Sequence, residues 1–124
     1  MMKRLISLGC CLLSCLTAFP GESPGEAKNI YGVLMQGIVD GDSSVFQDVG
    51  TEEFRKQMTP ELFQSAQLQV GDRLRKGFQS VYLGKVFKGR REIYLWKVVI
   101  SESPDELLAT LVLEQNKVAA FFFQ

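Results

Sequence analysis

Thiols are the most reactive groups this chain could carry, and all three fall in one short stretch, LISLGCCLLSC, residues 5–15. Cys10, Cys11 and Cys15 are followed by 109 residues without another cysteine. A structural metal site usually needs four ligands, and no other ligating residues surround these three. A stapling disulfide needs a partner in the folded domain, and the domain supplies none. The chain also has no histidine. That removes the commonest general base, the commonest metal ligand and the usual physiological-pH switch together. Asp40, Asp42 and Asp48 lack the run of alternating oxygens and the bidentate glutamate of a calcium loop, so they read as helix caps and stops. No catalytic set and no metal set can be assembled, and no cofactor is expected.

The cysteines instead belong to an address. Met1-Met2-Lys3-Arg4 is a short positive region, and Leu5–Phe19 is mostly apolar and uncharged. That run is shorter than the ~20 residues a membrane-spanning helix needs and suits an export signal. Leu12-Leu13-Ser14-Cys15 resembles the bacterial lipoprotein cleavage box, in which the cysteine becomes the lipid-bearing first residue. Leu13 departs from it, standing where a smaller residue is usual. The resemblance implies lipidation at Cys15; the alternatives are ordinary cleavage after Ala18 and an uncleaved anchor. Residues 1–22 are thus read as signal and linker, and residues 23–124 as one domain. The expected location is the bacterial cell envelope, lipid-anchored, or else the periplasm or the medium as a soluble protein.

Formal net charge is zero, and removing a segment with Lys3 and Arg4 leaves 12 basic against 14 acidic residues. Such a balance opposes nucleic-acid binding, which needs many phosphate-neutralising cations. A content of 46% hydrophobic residues suits a packed core rather than a disordered chain.

The positioning elements follow from periodicity. Ser23-Pro24-Gly25-Glu26 offers a cap, a proline for the first turn and a capping-box acid. Ala27, Ile30, Tyr31, Leu34 and Ile38 then form one helical stripe, which Asp40-Gly41-Asp42 ends. Ser43 or Ser44 caps a short turn, Val45–Val49, closed by Gly50. Thr51 opens another over 52–58, with acids at its positive end. Thr59-Pro60-Glu61 starts the longest stripe, Leu62, Phe63, Ala66, Val70 and Leu74. Arg73, Arg75 and Lys76 then favour a helix C-terminus before Gly77. Past Gly77 the period becomes strand-like, in Phe78–Phe87, Glu92–Ser101, Glu106–Glu114 and Lys117–Phe123. Their separators are turn chemistry, and links this short make neighbours antiparallel. The hairpin at Gln115-Asn116 sets Glu114 opposite Lys117.

Regular alternation from those turns sorts the sheet into two faces. One collects Leu83, Tyr94, Trp96, Val98, Ile100, Leu107, Ala109, Leu111, Leu113, Val118, Ala120 and Phe122, and should lie beneath the helices. The other collects Tyr82, Ile93, Leu95, Val99, Leu108, Val112, Phe121 and Phe123, interrupted by Lys97, Ser101, Thr110 and Glu114. The second face is too apolar for free solvation. Tyr82, Ile93, Leu95, Val99, Val112, Phe121 and Phe123 are therefore expected to form a homodimer interface, the alternative cover being the first helix or the N-terminal tail.

Helices followed by an antiparallel meander give an α+β fold class. The stretch LMQGIVDGDSSVFQDVGTEEFRKQMTPELF resembles the opening of small domains in the nuclear transport factor 2-like (cystatin-like) superfamily, close to a family of exported bacterial domains of unknown function. YLGKVFKGRREIYLWKVVI is similar to the first hairpin of their meander. The resemblance implies a bent four-stranded sheet with the helices on one face, a cone-shaped cavity between them, and often dimerisation through the outer sheet face. Trp96, Tyr94, Gln79 and Lys85 are the candidate cavity residues. The superfamily's enzymes place Asp, Tyr or His in the cavity; here no Asp lies within a strand. The leading expectation is a non-enzymatic domain binding a small apolar ligand or an envelope protein, meeting the membrane through its lipid alone. The alternatives are an isomerase- or hydrolase-like enzyme with Glu92, Tyr82 or Tyr94 as acid or base, and a pure dimerisation scaffold. Lys85, Lys88, Arg90 and Arg91 gather around the first hairpin and are read first as solvated charges that discourage edge pairing.

Overall fold

The computed structural model describes residues 25–124; the cysteines, the export segment and the Ser23-Pro24 cap lie outside the described residues. Helix α1 spans Gly25–Asp40 and buries Ala27, Ile30, Tyr31, Leu34, Met35 and Ile38, the expected stripe with Met35 added. Gly41 ends it at φ 78°. Asp42 then accepts hydrogen bonds from the backbone N–H and hydroxyl of Ser44, at 3.0 and 2.6 Å, and so serves as the cap for α2, Ser44–Val49. The side chain of Ser43 makes no capping bond.

Helix α3, Glu52–Gln57, starts where Thr51 Oγ1 accepts from the Phe54 N–H at 3.1 Å. Helix α4, Pro60–Ala66, starts where Thr59 Oγ1 accepts from the Leu62 N–H at 3.2 Å. Each bond satisfies a donor that the first helical turn leaves without a partner. Thr59→Ala is expected to cost about 1 kcal/mol, read as a lower midpoint in urea unfolding.

The longest stripe is not one regular helix. A π-helical turn, Gln67–Gly71, separates α4 from α5, Asp72–Arg75. Val70 and Leu74 still reach the core, whereas Leu62 is 50% exposed. The wider turn is tied to the end of α1: Gln67 Nε2 donates to the Ile38 carbonyl at 3.2 Å and Arg75 Nε to the Val39 carbonyl at 3.0 Å. Arg75 therefore caps the preceding helix and also pairs with Asp72 beside it.

Strands β1 (Phe78–Lys88), β2 (Arg91–Ile100), β3 (Glu106–Glu114) and β4 (Lys117–Phe123) form one antiparallel sheet in chain order. Lys88 pairs with Arg91 across Gly89-Arg90, with Gly89 at φ 65°. Glu114 pairs with Lys117 across Gln115 and Asn116, both at positive φ as a tight hairpin turn requires. The core is a single cluster in which Tyr94, Trp96, Val98, Ile100, Ala109, Leu111, Leu113 and Val118 of the sheet meet the apolar sides of α1–α5.

Two bulges correct the expected faces. In β1 the register shifts between Tyr82 and Gly84, so Tyr82 pairs with Trp96 on the helix side and Leu83 is left 47% exposed. In β4 it shifts between Val118 and Ala120, where Ala119 is extra. Beyond it Phe121 pairs with Leu111 and Phe123 with Ala109, so both face the helices; Ala120 and Phe122 pair with Val112 and Thr110 on the outer side. One extra residue reverses every later side chain because the strand period is two.

Both sheet edges are interrupted. The free edge of β1 carries its bulge, with Gly84 at φ 150°. The free edge of β4 is met by a parallel bridge from Gly50 to Val118, in which the Thr51 N–H donates to the Val118 carbonyl at 2.8 Å.

Candidate functional site

The interior is the first place to look for a site. Trp96 is 2% exposed and Tyr94 4%. The Trp96 ring lies flat on Tyr31, centroids 3.9 Å apart and planes 7° off parallel. Tyr82 and Tyr94 approach the same ring at 5.6 and 6.2 Å. Four aromatic rings thus meet where the sequence places a ligand site.

Polar groups at the margin serve these rings. The Tyr31 hydroxyl shares a 2.6 Å hydrogen bond with Ser80 Oγ. Burial pushes the Tyr31 phenol up to about 12, the bond to Ser80 acting weakly the other way. The Tyr94 hydroxyl donates to Glu92 Oε1 at 2.6 Å. Burial and then that bond raise the Tyr94 phenol well above its ordinary range, and burial raises Tyr82 too. At neutral pH all three are therefore neutral donors and none is a poised base.

The sign for Tyr31 gives a pH test. Its folded value lies above its unfolded one, so its contribution is complete below about pH 10 and declines as pH rises toward 12. Tyr31→Phe keeps the stack on Trp96 and removes the bond to Ser80. The variant is expected to lose about 1 kcal/mol at neutral pH and to show a shallower decline in stability across that alkaline range, measured by urea unfolding at stepped pH.

The other two cavity candidates lie elsewhere. Lys85 pairs with Tyr94 on the helix side but is exposed, its Nζ 4.6 Å from the Phe87 ring centre and 5.4 Å from that of Tyr94. Gln79 pairs with Val99 on the outer side. The structure brings Trp96, Tyr94 and Lys85 together and leaves Gln79 out.

Among the described residues, two of the surface clefts are large enough to consider. One, of about 380 Å³, lies between α4, the π-helical turn and β4, lined by Met58, Leu62, Phe63, Phe121 and Phe122 among others. The bulge at Ala119 turns Phe121 toward it, so alternation alone does not foretell it. The other, of about 850 Å³, lies between α3 and the β3–β4 hairpin and is lined by charges of both signs, including Glu53, Lys56, Arg91 and Glu114. Arg91 is already held by Glu114 at 3.2 Å and Lys56 by Glu52 at 3.9 Å. Among the described residues no group of acidic side chains could hold a metal ion.

The outer sheet face is the remaining candidate. Arg91, Ile93, Leu95, Lys97 and Val99 of β2 pair with Glu114, Val112, Thr110, Leu108 and Glu106 of β3 on this side. Val112 is 7% and Thr110 6% exposed, yet neither belongs to the core cluster. The expected interface set keeps Ile93, Leu95, Val99 and Val112 there and loses Tyr82, Phe121 and Phe123 to the helix side; Phe122 joins it. Cys15 lies outside the described residues, and no described helix is long and apolar enough to cross a membrane. No protein-family model, curated protein or solved structure matches the chain.

Proposed function

We propose that this is an exported, non-enzymatic binding domain that works through the outer face of its sheet, with a second copy of the same chain as its first partner. The observation carrying this reading is the contrast between the two faces. The helix side packs aromatic rings around a sealed Trp96, while the outer side carries half-buried Ile93, Leu95, Val99 and Leu108 and the exposed Phe122. Apolar faces of this kind mark interfaces. The face is self-complementary in charge, because it holds both Lys97 and Glu106. A second copy can offset each while burying the residues between.

Export rests on Lys3-Arg4 and the apolar run behind it, and retention at the envelope on lipidation of Cys15. The helices-then-meander order supports a nuclear transport factor 2-like fold. Light scattering on purified protein at tens of micromolar is expected to return twice the chain mass; a strict monomer would sink the self-association. Intact-mass analysis of membrane-extracted protein tests the anchor, and a mature N-terminus at Phe19 without lipid would end it.

A further inference from the structure

We propose that the β1–β2 hairpin is a membrane-surface element that seats on anionic phospholipid, independently of the outer-face interface and of any lipid on Cys15. The first observation is charge. Between Phe78 and Ile100 stand Lys85, Lys88, Arg90, Arg91 and Lys97 against Glu92 alone. The other described residues hold seven basic and twelve acidic side chains. The domain is therefore polarised, and an anionic surface orients it hairpin first.

The second observation is that these cations are available. Among the described residues no carboxylate pairs with Lys85, Lys88 or Arg90; only Arg91 is held, by Glu114. Glu92, the acid in their midst, accepts the Tyr94 hydroxyl at 2.6 Å.

The third observation selects the partner. Beside these charges Leu83 is 47%, Val86 51% and Phe87 66% exposed. Phe87 pairs with Glu92 on the helix side and Val86 with Ile93 on the outer side. The hairpin end thus offers an apolar side chain on each face, clear of the helices, with cations between. A soluble polyanion needs the cations and has no use for Phe87 or Val86. A bilayer surface uses both, taking the apolar groups into the headgroup–acyl boundary and the cations among its phosphates. Lys85 joins the two kinds of group, its ammonium lying 4.6 Å from the Phe87 ring centre.

The test uses the full chain and flotation with vesicles of phosphatidylcholine, with and without phosphatidylglycerol. The apolar leader is common to all variants, so the comparison between variants reads the hairpin. Lys85→Gln/Lys88→Gln/Arg90→Gln is expected to weaken phosphatidylglycerol-dependent binding at least about tenfold. Phe87→Ala, at an exposed site, should weaken it severalfold, and Lys3→Gln/Arg4→Gln should leave most of it. Urea midpoints close to the parent's would show that the hairpin variants fold. Equal vesicle binding by the triple variant overturns the proposal. So does parent-like vesicle binding by Phe87→Ala when heparin displaces the parent, since that result assigns the cations to a soluble polymer.

Discussion

Trp96→Ala is expected to remove about 3–5 kcal/mol of folding free energy. The ring is 2% exposed and stacks on Tyr31 at 3.9 Å, with Tyr82 and Tyr94 at its other sides. Truncation withdraws contact from three aromatic neighbours at once, and rings held by Ser80 and Glu92 cannot readily close the gap. A domain of this size has about 5–15 kcal/mol in total, so the variant should lose a large share of it. Urea titration followed by circular dichroism reads the loss as a lower midpoint at an unchanged slope. A change below about 1 kcal/mol would place the site among tolerant surface positions and contradict the sealed interior. Because Trp96 is the only tryptophan, its fluorescence in the parent should also resist quenching by acrylamide.

Leu95→Glu should have the second-largest effect, on association rather than folding. Leu95 is half-buried on the outer face of β2, between Ile93 and Lys97 and opposite Thr110. In a self-associated pair the new carboxylate would be withdrawn from water without a partner, which costs several kcal/mol. The proposed dimer should weaken on the order of a hundredfold, the variant becoming monomeric in sedimentation while the helical signal persists. Retention of the parent's mass at equal concentration would exclude this face as the contact. Phe123→Ala provides the contrast. Phe123 packs against the core from the helix side, 5.3 Å from the Phe121 ring, so its truncation should lower stability before it alters association.

The boundaries were legible because they rest on local chemistry. Thr51 and Thr59 announce caps and perform them. Gly41, Gly89 and the Gln115-Asn116 pair supply the backbone angles their turns need. The helical stripe of α1 is buried as its spacing requires. The side-chain faces were legible only as far as the first irregularity in each outer strand. Gly84 offered a signal in β1, since an isolated glycine in a strand often marks a bulge. Ala119 offered none in β4, because alanine is as ordinary in a regular strand as in a bulge. The π-helical turn was equally silent: Val70 and Leu74 keep their burial whether or not one turn is widened, and the gain lies in a distant bond from Gln67 to the end of α1. The aromatic cluster around Trp96 depends on four rings from α1, β1 and β2 converging, and no local spacing records that.

The interruptions at the two rims of the sheet limit how copies can add to one another. A sheet with two long open rims can grow without limit, each newcomer extending the ladder and exposing a fresh rim. Here the bulge at Leu83-Gly84 breaks one template and the Gly50–Val118 bridge occupies part of the other. Growth by strand addition is thereby discouraged at both ends. What remains open is stacking of face upon face, which is satisfied by a single pair and then stops. If copies associate through the outer face as proposed, a domain so built would pair rather than polymerise.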